Sequence, residues 1–301
     1  MKYATRRAVG LSLTALTGLA AFLMVAMLAF ILLDVFRGGA AHVTWTFLTQ
    51  PPSEGMMGGG IFPAIIGTAV LTLLMTVAVM PVGVLTAVYL HEYAPPDSRF
   101  ARWVRIAIVN LAGVPSIVFG LFGLGFFILF VGRHMDRALG HEELYWGQPG
   151  LIWASLTLAV LTLPVVIVAT EEALRAVPLD HRTASLALGA TQSQTLVRVV
   201  LPGALPGILT GAVLAISRGA GEVAPILFTG AAYFLPDLPS RLNSQFMHLG
   251  YHTYVLATQS PDVEATRPLL YATVLVLLLL TFALNLVAVI IRTRTRRKAS
   301  S

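Results

Sequence analysis

Five long apolar runs constrain this chain more than any other feature: residues 8–33, 61–90, 104–131, 150–170 and 268–291. Each is long enough for a helix to cross a bilayer, which takes about 20 apolar residues. A sixth run, 203–235, is too long for one straight crossing. As a single helix its residues would reach about 50 Å, against a hydrocarbon core of about 30 Å. It is expected to give one span plus a part that breaks, re-enters or lies flat. Composition agrees: 56% of residues are hydrophobic and 11% charged, where a soluble domain carries about a quarter charged. The expected fold is an all-α polytopic membrane protein of six transmembrane helices. The chain has no cysteine, which excludes disulfides and thiolate metal sites.

The basic start "MKYATRR" resembles a signal peptide, but the apolar part behind it is about 26 residues, longer than a signal core. It reads as a retained helix. The net charge of +6 would suggest nucleic acid in a soluble protein. Here the placement of the charges reports topology, and no nucleic-acid partner is expected. With six spans and both ends inside, most of the basic residues fall on inner segments, among them Lys2, Arg6, Arg7, Arg99, Arg102, Arg105, Arg175, Arg182, Arg198 and the tail from Arg292 to Lys298. Arg37, Arg133, Arg137, Arg241 and Arg267 fall outside, and Arg218 lies at membrane depth. This bias predicts cytoplasmic N- and C-termini. Three regions follow: an anchor helix with an outer loop over 1–57, a permease body over 58–291, and a basic tail over 292–301.

Pro81, Pro115 and Pro164 punctuate apolar runs, which implies kinks that serve packing or line a pathway. Gly120, Gly123 and Gly125 suit close helix approach. "GGG" at 58–60 reads as a short flexible lead into the second span. The seven histidines are scattered over polar connections. His248 and His252 have i,i+4 spacing but no evident third ligand, so surface or interface polarity is the expectation and no metal site is expected. No nucleophile–base constellation is present either. The only lysines are Lys2 and Lys298, so no phosphate-binding loop of the Walker type exists here.

The longest inner connection is 171–202, "EEALRAVPLDHRTASLALGATQSQTLVRVVLP". Pro178 ends one helical stretch, and "RTASLALGA" reads as a short amphipathic helix. Gly189 suits a left-handed C-terminal turn, and Thr191 suits the N-cap of a second helix. Such a knob fits a groove on another protein; an interfacial helix lying on headgroups fits the same pattern.

Residues 183–202 resemble the signature loop of ABC-importer permeases: Glu-Ala-Ala, three residues, Gly, nine residues, then Ile-x-Leu-Pro. The matching positions are Thr183, Ala184, Ser185, Gly189, Val199, Leu201 and Pro202. Thr183 replaces the usual Glu, Ser185 an Ala and Val199 an Ile. The segments 58–94, 110–122, 161–178 and 207–231, the last containing "GEVAP", resemble in order the PstA-type permease of the phosphate importer. The resemblance implies a type I ABC-importer permease fold in the bacterial inner membrane. It implies a coupling helix whose residues Thr183, Ala184, Ser185, Leu186, Gly189, Leu201 and Pro202 face an ATP-binding subunit. It also implies partners: a second permease of PstC type, a PstB-type ATPase dimer holding ATP and Mg, and a PstS-type phosphate-binding protein. No cofactor is expected on this chain itself.

Against that background the stretch "AISRGAGEVAP", 215–225, gains meaning. Arg218 and Glu222 are expected one helical turn apart on one face. An ion pair that fixes helix packing is one reading. The other is phosphate handling: the guanidinium fork matches phosphate oxygens, while Glu222 restrains it. Gly219 and Gly221 are expected to thin the helix and Pro225 to disrupt it one turn later, exposing backbone N–H groups to an anion. A permease for sulfate or molybdate is the alternative within the class. An ion-coupled secondary transporter is the alternative outside it.

Overall fold

The computed structural model describes residues 2–53, 58–260 and 262–299, with side chains over 9–53, 58–260 and 262–295. Among these residues six helices are long and apolar enough to cross a membrane: Val9–His42, Phe62–Tyr93, Ser116–Leu139, Leu151–Arg175, Gln192–Gly219 and Val263–Thr295. Their outward faces carry exposed Leu, Ile, Val and Phe, as on Leu73, Val77, Phe126 and Phe282. Such a surface suits lipid, not water.

The first helix, α1 (Lys2–Gly39), packs mainly along the last, α13 (Val263–Ala299). Tyr271 of α13 lies over Gly38 and Gly39, and its hydroxyl donates to Asp34 at 3.1 Å. A short α2 (Trp45–Thr49) follows, capped by the Thr44 hydroxyl. β1 (Pro52–Ser53) then pairs antiparallel with β2 (Gly58–Gly59). The triple glycine is therefore not a loose lead. Gly59 holds a left-handed φ of 76°, and a side chain on Gly60 would meet the carbonyl oxygens of Thr46 and Gln50.

The core is built around α3 (Phe62–Val88), α7 (Leu151–Arg175) and α10 (Leu201–Gly219), which pack on one another. Leu71, Met75 and Val79 of α3 meet Leu158 and Val166 of α7 and Ala215 of α10 in one buried cluster. Pro81 and Pro164 lie inside their helices, as expected. Most buried hydroxyls in these helices are satisfied locally, Thr170 of α7 excepted. The Thr68 hydroxyl donates to the Ala64 carbonyl at 2.7 Å and accepts the Leu249 amide at 2.9 Å.

Two expectations about span boundaries are corrected. The run 104–131 is not one helix. α4 (Arg99–Ala112) ends at Gly113, and a new helix starts behind Pro115 as α5 (Ser116–Phe122), a π-helical stretch over Gly123–Gly132, and α6 (Arg133–Leu139). Pro115 thus caps a helix and kinks none, and Arg133 and Arg137 belong to the helical end of the span. α4 is amphipathic: Arg99, Arg102 and Arg105 recur every third residue, while Phe100 and Trp103 are exposed. The expected close approach holds at two of three glycines. Gly120 faces the Ala224 carbonyl and Gly123 faces Thr157, but Gly125 faces open space.

The second correction concerns 171–202. α7 continues to Arg175, and α8 (Leu179–Ala187) begins after a three-residue turn. α9 (Gln192–Thr195), a π turn over Leu196–Val200 and α10 then form one continuous helical rod. Leu201 and Pro202 lie within that rod and do not precede it. α13 likewise continues through the basic segment from Arg292 without a break.

Candidate functional site: a broken helix and a docking knob

α10 stops at Gly219, with the Ala220 amide bonded back to the Ile216 carbonyl. After four intervening residues a second and shorter helix, α11 (Ala224–Thr229), starts with Pro225 in its first turn. The long apolar run thus forms two helical pieces, of which the first belongs to one of the six candidate spans. Pro225 begins the second piece; it does not disrupt the first. Gly219 abuts Met75, which lies near the middle of the span Phe62–Tyr93. The break is therefore at membrane depth.

Arg218 and Glu222 flank this break. They were expected on one helix face, but Glu222 lies beyond the helix end. The turn still brings them together, with Arg218 Nε 3.7 Å from Glu222 Oε1. That separation suits an ion pair and is too long for a hydrogen bond. Arg218 makes no hydrogen bond to any described residue. The Arg218 side chain is 37% exposed and that of Glu222 20%. A cation at a helix C-terminus is favoured by the backbone dipole, so the charge is held in place while its donor fork stays open. Gly219 does permit close packing, because a Cβ there would strike the Met75 sulfur. Gly221 instead faces open space.

At the other end of the α9–α10 rod sits the knob. α8 has no buried residue. Leu179, Leu186 and Leu188 are exposed, Leu188 by 91%. Gly189 takes φ +85°, as its left-handed turn requires. The Thr191 hydroxyl accepts the Gln194 amide, and the Gln194 side chain accepts the Thr191 amide. Both readings of the turn hold. Thr183 bonds back to the Leu179 and Asp180 carbonyls. Ser185 is 2.9 Å from the Thr195 hydroxyl, which ties α8 to α9. Ala184, Leu186 and Gly189 are exposed. Leu201 packs inward against the cluster of Val88, Leu174 and Val200, so it anchors the rod beneath the knob. Pro202 lies beside it in the first turn of α10.

Sequence reasoning missed Glu92, Gln192 and the pair Arg105–Glu171 (2.8 Å). Nothing in a single sequence couples residue 92 to 182; the only hint is a carboxylate closing an apolar span. The histidines are also corrected. His248 and His252 are buried, with 0% and 5% exposure, and His248 caps α12 (Leu249–Thr258) by accepting the Gly250 amide. Among the described residues no group of three potential metal ligands occurs.

Residues 79–297 match the family of binding-protein-dependent transport system inner membrane components. The chain belongs to this family. It is 32% identical over 265 residues to a probable ABC transporter permease of Bacillus subtilis, YqgI, covering 84% of this chain and 85% of that protein. It is 33% identical to the phosphate transport system permease PstA 2 of Mycobacterium bovis, covering 84% and 78%. A PstA of Xylella fastidiosa is 34% identical, covering 74% of each chain. Among solved structures, the fold matches a bacterial alginate ABC transporter with TM-score 0.61 at 16% identity, covering 90% of this chain and 92% of the other. It also matches the MetNI methionine transporter at TM-score 0.56 and 21% identity, covering 78% and 94%. The chain is a multi-pass membrane permease subunit with the ABC-importer fold.

Proposed function

We propose that this chain is the PstA-type subunit of an ATP-driven importer of inorganic phosphate. It supplies half of a pathway that opens alternately to each side of the bacterial inner membrane. A second permease of PstC type supplies the other half. A PstB-type ATPase dimer, carrying ATP and Mg, docks on α8, and a PstS-type protein delivers phosphate from outside. Both termini lie in the cytoplasm, consistent with the basic residues on the inner segments.

The observation that carries this reading is the Arg218 guanidinium. It stands at membrane depth beside a broken helix, and its fork has no hydrogen bond among the described residues. A charge there is costly unless it meets a partner or a polar path. Phosphate matches the fork's geometry. Glu222, at ion-pair distance, limits how tightly the anion is held. The knob supports the second half of the reading, because its exposed leucines on a polar loop suit a protein groove.

The test is uptake by the whole complex reconstituted in vesicles. Phosphate should accumulate only with ATP, and sulfate or molybdate should not replace it. Arg218→Gln should remove most uptake, with about tenfold loss or more, since a charge-assisted bidentate contact is worth about 1.5–3 kcal/mol. Arg218→Lys should retain part of it, because charge survives without the fork. Full uptake by both variants, or transport by this chain alone without ATP, would overturn the proposal.

A further inference from the structure

Four segments meet around Glu92 and Arg182. Glu92 lies in the π turn Tyr89–Tyr93 that prolongs α3. Its two oxygens accept Arg182 Nη1 at 2.6 and 2.8 Å. Arg182 Nη2 donates to the Leu174 carbonyl near the end of α7 at 2.7 Å. The Glu92 carbonyl accepts Gln192 Nε2 from the start of α9 at 3.0 Å. Both charged side chains are mostly covered, at 16% and 11% exposure. Among the described residues, Arg182 makes the hydrogen bonds that join α8 to α3 and α7.

The local backbone serves this contact. The Ala94 amide reaches the Tyr89 carbonyl at 2.8 Å, one residue further back than in an α-helix. That wider turn gives Glu92 a bearing that a plain α-helical continuation would not. Further along α3, Met75 seats against Gly219, the residue after Arg218. One helix therefore touches the knob at one end and the break at its middle.

We propose that Arg182 and Glu92 form the joint that carries motion of α8 into α3 and on to the Arg218–Glu222 break. They are positioning residues for transport. The inference rests on α8 being the docking element of the ATPase. Pulling apart a covered, doubly hydrogen-bonded ion pair leaves both charges poorly solvated. When α8 is displaced, the end of α3 therefore follows it. Without the pair, α8 keeps its Ser185–Thr195 tie to α9 but has no ion pair to the end of α3.

The test measures phosphate moved per ATP hydrolysed in vesicles holding the full complex. The wild-type complex is first checked for ATPase retention. Glu92→Gln and Arg182→Gln should each lower the ratio at least about fivefold, the range of ordinary coupling energies. The double variant should be no worse than the worse single one, as for residues acting through one contact. Arg182→Lys should keep more than Arg182→Gln. The chain has no cysteine, so Glu92→Cys with Arg182→Cys offers a unique pair for a short thiol cross-linker. Cross-linking should restore the ratio. An unchanged ratio in the single variants, hydrolysis and uptake falling in proportion, or no recovery on cross-linking would overturn the joint. Loss of the ATPase from the wild-type complex would instead remove the docking reading beneath it.

Discussion

Gly67 and Gly219 both sit where a methyl group has no room, but the obstacles differ. At Gly67 the added carbon would strike the Met247 carbonyl oxygen, which is backbone. At Gly219 it would strike the end of the Met75 side chain, which can swing aside. Rigid obstacles make overpacking costly, typically about 1–3 kcal/mol, while flexible ones absorb part of it. Gly67→Ala should therefore lower the melting temperature of the purified protein clearly and Gly219→Ala less. Gly125→Ala, which meets nothing within 4 Å, should leave it unchanged. Equal melting of all three would refute this ordering. Gly219→Ala carries a second expectation: any shift of Met75 also shifts the seat of Arg218, so its effect on uptake should exceed its effect on melting.

The knob between α7 and α10 shows what the sequence made legible at the scale of elements. The short helix, the left-handed Gly189 and the Thr191 cap follow from local chemistry, and the structure holds all three. Each depends on residues within one turn of one another. The boundary at 113–115 was illegible for the opposite reason. Residues 104–112 are apolar enough to merge with the span behind them, and only the three-residue recurrence of Arg99, Arg102 and Arg105 separates an amphipathic helix from a crossing one. The break after Gly219 was half legible. The length of the run forced an interruption, but its position depends on Met75 closing against Gly219, a contact across more than a hundred residues. Glu92–Arg182 was invisible for the same reason. The legible parts give a prediction. Gly189→Ala meets no atom, so its cost is purely conformational, about 1–2 kcal/mol for a left-handed L-residue. Thr191→Ala loses its cap, worth about 1 kcal/mol. Both should reduce the ATPase recovered with the complex, and Gly189→Asn should reduce it less than Gly189→Ala. Full recovery in all three would show that the turn's shape does not matter for docking.

For the molecule as a whole, the connection between α11 and α13 closes one end of the helical body, and it is built on two buried imidazoles. Its helix α12 is outside the six spans. Burial lowers the His248 pKa from 6.5 to about 3 and that of His252 from 6.5 to about 4. Both rings are neutral in the folded protein down to those values. His248 Nε2 and His252 Nδ1 have no hydrogen-bond partner among the described residues, so no nearby acceptor offsets a proton gained there. Above pH 6.5 both folded and unfolded chains carry neutral rings, and the histidines add no pH dependence. Below it the unfolded chain takes up protons that the folded one refuses, so stability falls as pH drops from about 6.5 toward 4. At pH 5 each ring costs up to about 2 kcal/mol, from 1.36 kcal/mol per pKa unit. The melting temperature should therefore decline between pH 7 and 5. His248→Asn keeps an acceptor for the Gly250 amide and should flatten that decline, as should His252→Leu, with the double variant flattest. A slope unchanged in the double variant would mean that carboxylates elsewhere, and not this closing segment, set the acid limit of the fold.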